Sequence, residues 1–416
     1  MEEENERAID MFDLPRLGSD PERTYRLGIM GGTFDPIHYG HINLGRAALS
    51  ALHLDEVWFM PSGSNNYRSV LGLRAEKRHR EAMVRLALAG EQEEKFVFSD
   101  WECAQPGSTY TSKTFAQLNA IYPEVTWYYV VGADTLFALK YWEEPELICN
   151  SVVLLAAGRR EQVEDSSLQD TARTLREKYG ADIRFIPWED IPVSSTQIRQ
   201  KHRDGKLTRE DLPSGVFSYL KAHHLYRSLE ELSDTEILDR CDATPQEREY
   251  YERLMGMLKP RRVRHSLGVM HMAMLLADGY RNVSVEQARL AGLLHDCGRT
   301  ENNVLNALGH APAGAQIARR MFGVTDESVL SAIRWHTTGR PGMTELEKII
   351  YIADYIEPFR ATMVDLDKAR RIAYTDLEQA VAFMGESTIR YLQSRGEDID
   401  PITLETVKYY RDRTVR

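Results

Sequence analysis

The chain has few cysteines, no long apolar run and an excess of acidic over basic residues. Its four cysteines are far apart and form no C-x-x-C pair, so we expect neither a disulfide framework nor a zinc knuckle. The longest apolar run, Ser151 to Ala157, is far below the roughly 20 residues of a membrane helix. The first residues, Met-Glu-Glu-Glu-Asn-Glu, do not resemble a basic leader segment. We therefore expect no signal peptide, no membrane span and a cytoplasmic location.

The charge balance and the length limit the classes of protein. The chain of 416 residues has 52 Lys and Arg against 63 Asp and Glu, a net charge of -11. Because this charge repels a polyanion, broad nucleic-acid binding is not expected, whereas small anionic ligands are compatible with local basic groups. At roughly 100 to 200 residues per domain, the length predicts two or three domains.

Hydrophobic patterning divides the chain into an α/β half and an all-α half. We interpret residues 1–24 as a flexible acidic extension, 25–227 as an α/β domain, 228–246 as a linker and 247–416 as a helical domain. In the first half, apolar runs alternate with helical stretches, which predicts a doubly wound parallel sheet. The predicted strands are Arg26–Met30, Glu56–Met60, Lys95–Phe98, Thr126–Val131, Val152–Ala156 and Ile183–Ile186. In the second half, Val263–Ala277 and Val285–Cys297 have helical periodicity.

A glycine-rich turn follows the first predicted strand. Gly31, Gly32 and Thr33 precede His38 and His41, which lie on either side of Gly40 where a helix is expected. Paired glycines let backbone N–H groups approach a phosphate, and a helix N-terminus adds further donors. Both histidines can then stabilise charge that develops during phosphoryl or nucleotidyl transfer. The alternative is an ordinary turn with two hydrogen-bonded histidines.

A second phosphate-type element lies far along the chain. Ser194, Thr196 and Arg199 form an S-x-T-x-x-R pattern, whose hydroxyls and guanidinium suit the oxygens of a triphosphate. Alone, the pattern is also typical of a helix cap. Together with H-x-G-H, it resembles the nucleotidyltransferase superfamily.

The stretch from Gly28 to Tyr226 resembles the bacterial nicotinate-nucleotide adenylyltransferases in particular. This similarity includes Ser108-Thr109-Tyr110-Thr111, the Gly132-Ala133-Asp134 segment and Trp142. It implies that ATP is held, with Mg²⁺, by the glycine turn and by the S-x-T-x-x-R motif. It also implies that Thr111 and Trp142 face nicotinate mononucleotide. The implied catalytic residues are His38, His41 and Arg199, and the implied binding residues are Gly31, Gly32, Thr33, Thr111, Gly132, Asp134, Trp142, Ser194 and Thr196.

Two points leave the substrate of this half open. Where that family usually has Pro-Pro-His-Lys, this chain has Pro61-Ser62-Gly63-Ser64-Asn65-Asn66-Tyr67-Arg68, in which Arg68 is the candidate for the missing positive charge. An adenylyltransferase acting on phosphopantetheine is the alternative within the class. It would share the ATP motifs but not the segment from Gly132 to Trp142.

The helical half contains histidines and aspartates in apolar surroundings. The adjacent pair His295-Asp296 ends an apolar helix, and a buried carboxylate beside an imidazole is costly without a cation. Imidazole and carboxylate ligands without thiolate favour Fe or Mn over structural zinc. The further candidates in apolar contexts are His265, His310, His336 and Asp354.

The segment from Glu247 to the C-terminus resembles the HD-domain phosphohydrolases. It is most similar to the bacterial symmetrical dinucleoside-tetraphosphatases, through Gly292-Leu293-Leu294-His295-Asp296 and His336-Thr337-Thr338-Gly339-Arg340-Pro341-Gly342. The resemblance implies two metals, one on His265, His295, Asp296 and Asp354, the other on His310 and His336, with Asp296 bridging and catalytic. Arg299 and Arg340 are candidates for gripping a polyphosphate.

The sequence therefore predicts a fusion of two enzymes. One half would make deamido-NAD from ATP and nicotinate mononucleotide, and the other would hydrolyse diadenosine tetraphosphate to two ADP. The competing hypothesis is that the second half is a metal-bound nucleotide sensor that regulates the first. Association of identical chains is left open.

Overall fold

The computed structural model describes residues 23–63, 74–91, 93–105, 109–158, 166–188, 191–280, 282–299, 309–360 and 365–414. The chain divides into a first unit, residues 1–64 and 77–221, and a second unit, residues 65–76 and 222–416. The predicted extension over residues 1–24 and the predicted departure over residues 61–68 lie largely outside the described residues.

The first unit is built on one parallel sheet with the order β3-β2-β1-β4-β5-β6. Its strands are β1 (Tyr25–Gly32), β2 (Glu56–Pro61), β3 (Phe96–Phe98), β4 (Val125–Gly132), β5 (Val153–Gly158) and β6 (Asp182–Pro187). All six predicted strands are confirmed, as is the doubly wound α/β class. The helices are α1 (Tyr39–Leu52), α2 (Lys77–Ala89), α3 (Trp101–Ala104), α4 (Thr111–Ile121), α5 (Ala133–Ala138), α6 (Pro145–Ser151), α7 (Ser166–Tyr179), α8 (Ser195–Arg203) and α9 (Ser214–Ala222).

The strand order creates a crevice at the carboxyl ends of β1 and β4. From β1 the chain builds β2 and β3 on one side, then returns to β4 on the other side of β1. In β4, Trp127 to Val131 are all buried, as expected for a parallel strand covered by helices on both faces. Doubly wound sheets bind ligands where the strand order reverses, which is at the end of β1 in this unit.

The second unit is helical in its described part. It consists of α10 (Asp234–Arg240), α11 (Pro245–Met255), α12 (Pro260–Gly279), α13 (Val285–Leu294), α14 (His310–Met321), α15 (Glu327–Trp335), α16 (Glu345–Ile356), α17 (Leu366–Ala373), α18 (Leu377–Ser394) and α19 (Pro401–Thr414). Helix α12 is buried from Ser266 through Ala277, so it is the central helix of this unit. In the ranges that the structure describes, no helix is long and apolar enough to span a bilayer.

Residues 228–246, predicted as a linker, are part of the second unit. They form a short 3₁₀ turn, helix α10 and the first two residues of α11. Leu229, Leu232 and Ile237 are buried in the core of this unit. The sequence did not indicate that this segment contributes to the core, because its apolar positions are few and are widely spaced between charged residues. The unit also includes Glu76, whose buried carboxylate pairs with Arg240 of α10 at 3.1 Å.

Candidate active sites

The first candidate site lies where β1 runs into α1. His38 is the N-terminal cap of α1, and its backbone N–H donates to Nδ1 of His41 at 3.2 Å. The two imidazole rings lie 3.8 Å apart between centroids. A Cβ on Gly40 would lie 3.0 Å from the His38 ring, so the glycine between the histidines leaves space for that ring.

The hydrogen bond from His38 determines what His41 can offer a ligand. Because Nδ1 of His41 accepts a backbone N–H, its proton is assigned to Nε2. Burial, with a further contribution from His38, holds the pKa of His41 well below its usual value. His41 is therefore a neutral imidazole whose Nε2–H can donate to an oxygen of a phosphate.

The S-x-T-x-x-R motif meets this turn although about 160 residues separate them. The Ser195 hydroxyl donates to the Pro36 carbonyl at 3.0 Å. Arg199, only 4% exposed, donates to the Asp35 carbonyl and approaches its carboxylate at 3.6 Å. The described contacts of Arg199 thus fasten α8 to the turn. Its predicted role on the phosphates remains a prediction.

The other two residues of that motif begin α8. The Ser194 hydroxyl accepts the backbone N–H of Gln197 at 3.2 Å, so it caps the helix. The Thr196 hydroxyl accepts a hydrogen bond from Arg199 at 3.0 Å. Both residues are exposed. The helix start therefore lies beside the glycine turn, where its backbone donors suit an anion.

Arg80 of α2 is a basic residue that the sequence reasoning missed. It is 4% exposed and donates to the Thr33 carbonyl at 3.0 Å and to the Ser62 carbonyl at 2.8 Å. It thereby ties the segment after β1 to the segment after β2. No sequence pattern marks this role, because Arg80 lies in a helix with several other basic residues.

A cavity of about 270 Å³ opens at the carboxyl ends of β1, β2 and β4. Five predicted ligand-binding residues line it, namely Gly31, Gly32, Thr33, Thr111 and Trp142. The residues predicted to hold ATP and the residues predicted to face the nicotinate therefore line the same cavity. Trp142 also packs near Tyr129, with ring centroids 6.4 Å apart.

Glu102 of α3 also lines this cavity and was not predicted. Its carboxylate accepts hydrogen bonds from Thr114 at 3.0 Å and from Thr109 at 3.4 Å. Burial raises the pKa of Glu102, and these hydrogen bonds oppose the rise. The carboxylate thus holds the segment that carries Thr111 against the cavity.

Two other predicted binding residues lie near this cavity without lining it. Gly132 ends β4, and Asp134 is exposed in the first turn of α5, whereas Thr135 contributes to the wall. A separate cavity of about 420 Å³ lies beside α8 and includes Tyr39 and Gln197. We assign the chemistry to the smaller cavity, because the glycine turn lines it.

The second candidate site is a set of six side chains that we call the six-ligand cluster. Its members come from five helices or their ends: His265 of α12, His295 and Asp296 after α13, His310 of α14, His336 after α15 and Asp354 of α16. These are the six residues predicted as metal ligands. Their candidate ligand atoms form three overlapping groups, each within 4.8 Å.

One half of the six-ligand cluster is formed by His310, His336 and Asp296. The Nε2 atoms of the two histidines lie 3.1 Å apart. Oδ1 of Asp296 lies 3.2 Å from Nε2 of His310 and 3.6 Å from Nε2 of His336. All three residues are at most 2% exposed.

The other half is formed by His265, His295 and Asp354. The Nε2 atoms of His265 and His295 lie 3.2 Å apart. Oδ1 of Asp354 lies 3.1 Å from the first and 3.9 Å from the second. Oδ2 of Asp296 lies 3.9 Å from His295, so the two oxygens of Asp296 face the two halves. This is the arrangement that a bridging carboxylate requires.

Hydrogen bonds behind the cluster orient three of its imidazoles. Nδ1 of His295 donates to the Gly292 carbonyl at 2.8 Å, and Nδ1 of His336 donates to the Ile333 carbonyl at 2.7 Å. Nδ1 of His265 lies 3.1 Å from Oε1 of Glu357. Because these Nδ1 atoms face partners behind the cluster, the Nε2 atoms of the three histidines face its interior. This donor set fits divalent metal ions.

The electrostatics of His295 and Asp296 agree with that fit. Burial lowers the pKa of His295 to about 3. Burial would raise the pKa of Asp296, but the neighbouring histidines outweigh it and hold that pKa well below its usual value. Neutral imidazole and ionised carboxylate are the forms that bind metals. For His265, burial is outweighed by Asp354 and Glu357, which raise its pKa to about 9.

The glycine after the His-Asp-Cys run allows close backbone packing. A Cβ on Gly298 would lie 2.2 Å from the His310 carbonyl and 2.7 Å from the Gly314 backbone nitrogen. Any side chain there would push α14 away from the end of α13. Gly298 therefore keeps His310 close to Asp296.

Three arginines lie at the edge of the six-ligand cluster. Arg262 and Arg299 donate to Asp296 at 2.8 and 2.9 Å, and Arg360 donates to Asp354 at 2.9 Å. Only Arg299 was predicted. Arg340, the other predicted arginine, pairs with Glu347 at 3.0 Å, a residue outside the cluster. Arg262 lies close in sequence to His265, and Arg360 lies close to Asp354. This proximity to predicted ligands could have identified both arginines as site residues.

Comparison with known proteins gives the class of each unit. Residues 29–201 match the cytidylyltransferase-like family, and residues 262–358 match the HD domain family. The first unit is thus a cytidylyltransferase-like domain, and the second unit contains an HD domain.

The curated relatives give the narrower family. The chain is 37% identical over 201 residues to a probable nicotinate-nucleotide adenylyltransferase of Lachnoclostridium phytofermentans, which covers 48% of this chain and 98% of the relative. A probable nicotinate-nucleotide adenylyltransferase of Synechococcus is 33% identical over 50% of this chain and 97% of its own length. Through its first unit, the chain belongs to the nicotinate-nucleotide adenylyltransferase family.

Two solved structures are each similar to part of the chain. One is a predicted HD superfamily hydrolase involved in NAD metabolism from Clostridium acetobutylicum, at 38% identity over 40% of this chain and 96% of that one, with a TM-score of 0.36. The other is the Plasmodium falciparum nicotinic acid mononucleotide adenylyltransferase, at 18% identity over 49% and 97%, with a TM-score of 0.40.

Proposed function

We propose that the first unit transfers the adenylyl group of ATP to nicotinate mononucleotide. The observation that carries this proposal is the cavity that the glycine turn shares with Thr111 and Trp142. Family membership supports the same substrates. The mononucleotide phosphate forms a bond to the α-phosphorus of ATP, the bond to the leaving pyrophosphate breaks, and deamido-NAD results.

Each residue of this site has a part in the transfer. The glycine turn and the start of α8 offer backbone donors to the triphosphate, which binds as its Mg²⁺ complex. His41 donates from Nε2 to the oxygens on which charge grows, and His38 fixes its tautomer. Arg199 and Arg80 keep the turn in place through the Asp35 and Thr33 carbonyls. No covalent intermediate is required.

Trp142→Ala should weaken binding of nicotinate mononucleotide and not of ATP. The indole lines the cavity, so its loss removes a stacking surface for the pyridine ring. We expect KM for the mononucleotide to rise about tenfold, equivalent to about 1.4 kcal/mol. Steady-state kinetics with each substrate varied in turn measure the effect.

The neighbouring Tyr141 is the matched control for this variant. Tyr141 is 80% exposed, so Tyr141→Ala should leave both KM values unchanged. An equal rise in KM for ATP and mononucleotide in Trp142→Ala would contradict the assignment. If phosphopantetheine replaced nicotinate mononucleotide as the preferred acceptor, the substrate proposal would be wrong.

For the second unit, we propose metal-dependent hydrolysis of diadenosine tetraphosphate to two ADP. The convergence of six ligands in two halves that share Asp296 carries this proposal. His265, His295 and Asp354 would hold one metal and His310 with His336 the other. If bound there, such a pair of ions would activate water at neutral pH and would stabilise the entering and leaving oxygens.

The chain's own residues orient the substrate at this site. Arg262, Arg299 and Arg360 are between 28% and 43% exposed, so they present positive charge at the edge of the cluster. A tetraphosphate chain carries several negative oxygens that guanidinium groups bind in a bidentate way. A water oxygen forms a bond to the second phosphorus from one end, and the bond from that phosphorus to the oxygen bridging the two central phosphates breaks. Two ADP result, and a proton of the water passes to solvent.

Arg262→Ala should raise KM for diadenosine tetraphosphate more than it lowers kcat. Losing one charged hydrogen bond to phosphate costs about 1.5 to 3 kcal/mol, so KM should rise roughly ten- to hundredfold. Arg261→Ala is the matched control, because Arg261 is exposed on the same helix. If both variants had the same KM, Arg262 would not contact the substrate.

The central experiment adds diadenosine tetraphosphate to the metal-reconstituted protein and separates the products by anion exchange. ADP as the sole product supports symmetrical hydrolysis, whereas AMP with ATP would contradict it. Removing the metals with a chelator should abolish turnover, and adding Mn²⁺ or Fe²⁺ should restore it. Tight binding without product would make this unit a sensor. In that case the dinucleotide should change the transferase rate.

A further inference from the structure

Glu357 is a buried carboxylate directly after α16, three residues beyond Asp354. It is 1% exposed, and burying a carboxylate is costly unless partners compensate for the lost water. It is not one of the six candidate metal ligands. Its partners therefore indicate why a charged residue lies there.

Both carboxylate oxygens of Glu357 have defined partners. Oε1 lies 3.1 Å from Nδ1 of His265, and Oε2 accepts the backbone N–H of Phe359 at 2.7 Å. The backbone is held as well, because Arg370, only 7% exposed, donates to the carbonyls of Ile356 and Glu357. The carboxylate is thus fixed in one orientation towards His265.

The facing helix makes room for this carboxylate with a glycine. A Cβ on Gly268 would lie 2.4 Å from Oε2 of Glu357 and 2.8 Å from the Phe359 ring. Gly268 follows His265 by three residues on α12, so it lies on the same face one turn along. A side chain at this position would separate Glu357 from His265.

His265 differs from the other oriented histidines of the six-ligand cluster. His295 and His336 donate from Nδ1 to backbone carbonyls, whereas His265 donates to a carboxylate. A carboxylate behind an imidazole makes the opposite nitrogen a stronger donor to a metal than a carbonyl does. His265 is also the more exposed of these ligands, at 15% of its side chain, so packing constrains its ring less.

We propose that Glu357 is a positioning residue that fixes the tautomer and ring orientation of His265 and strengthens Nε2 as a metal ligand. The inference rests on the proposed metal centre. Glu357 acts only through His265. Its removal should therefore weaken metal binding without removing a ligand.

The test measures metal affinity in the full-length protein. Co²⁺ is titrated into metal-free wild type and Glu357→Gln, and its d–d absorption spectrum reports binding and geometry. Glutamine keeps the size and removes the charge, so we expect about 10- to 100-fold weaker binding of one Co²⁺ and an altered spectrum. Glu247→Gln is the matched control, since Glu247 is buried and pairs with Arg289 at 2.8 Å, outside the cluster.

A double-mutant cycle with His265→Ala separates positioning from a general structural effect. If Glu357 acts through His265, Glu357→Gln should not weaken Co²⁺ binding further in the His265→Ala background. Equal weakening in both backgrounds, or unchanged affinity in Glu357→Gln, would overturn the inference. Wild type that binds Co²⁺ without hydrolysing dinucleotide would refute only the proposed reaction. Wild type that binds no Co²⁺ would refute the metal centre and this inference together.

Discussion

His295→Ala should abolish hydrolysis of diadenosine tetraphosphate while adenylyl transfer continues at the wild-type rate. Nε2 of His295 lies 3.2 Å from Nε2 of His265 and 3.9 Å from both Asp296 and Asp354. Its loss removes a proposed ligand from the half of the cluster that it forms with His265 and Asp354. We expect kcat to fall at least about a thousandfold, equivalent to about 4 kcal/mol. Product formation by anion exchange measures it.

The transferase activity of the same variant is its internal control. His295 is fully buried, so its truncation also leaves a cavity that can lower the melting temperature. Circular dichroism and metal content distinguish loss of the site from loss of the fold. Hydrolysis that persisted in a folded, metal-depleted His295→Ala protein would contradict the proposed centre.

His41→Ala should remove adenylyl transfer and leave hydrolysis unchanged. His41 is held as a neutral donor by the hydrogen bond from the His38 backbone. Deleting one donor aimed at developing charge typically costs about 100- to 1000-fold in kcat. We expect a loss in that range in pyrophosphate release from ATP and nicotinate mononucleotide, with a much smaller change in KM for ATP.

His53→Ala is the matched control for His41→Ala. His53 is exposed at the opposite end of α1, so its removal should not affect either activity. If His41→Ala lost both activities, the variant would be misfolded or the two reactions would be coupled. If kcat fell less than tenfold, His41 would not stabilise the transferring group.

The sequence predicted the fold of the first unit because its strands carry strong local signals. Apolar runs such as Trp127 to Val131 indicate strands buried on both faces. The helical half was also predicted, but residues 228–246 were not recognised as part of its core. Leu229, Leu232 and Ile237 contribute to that core singly, so no periodic pattern marks them.

Candidate ligands could be predicted where the residue type itself has few ordinary uses. His295 beside Asp296 in an apolar context is such a case, and the structure brings all six predicted ligands together. Supporting residues were harder to find. Arg80 and Glu102 lie among many similar charged residues, and their roles depend on contacts with Thr33 and Thr114 that no spacing reveals.

The sequence by itself determined the α/β and helical classes, the glycine turn and the residues whose side-chain chemistry suits phosphate or metal. These properties follow from local pattern and from side-chain chemistry. Only the tertiary structure decided which residues meet. It joined Arg199 to Asp35, oriented His41 through His38, and set Glu357 behind His265. Such contacts depend on packing between distant segments, which residue type and spacing do not specify.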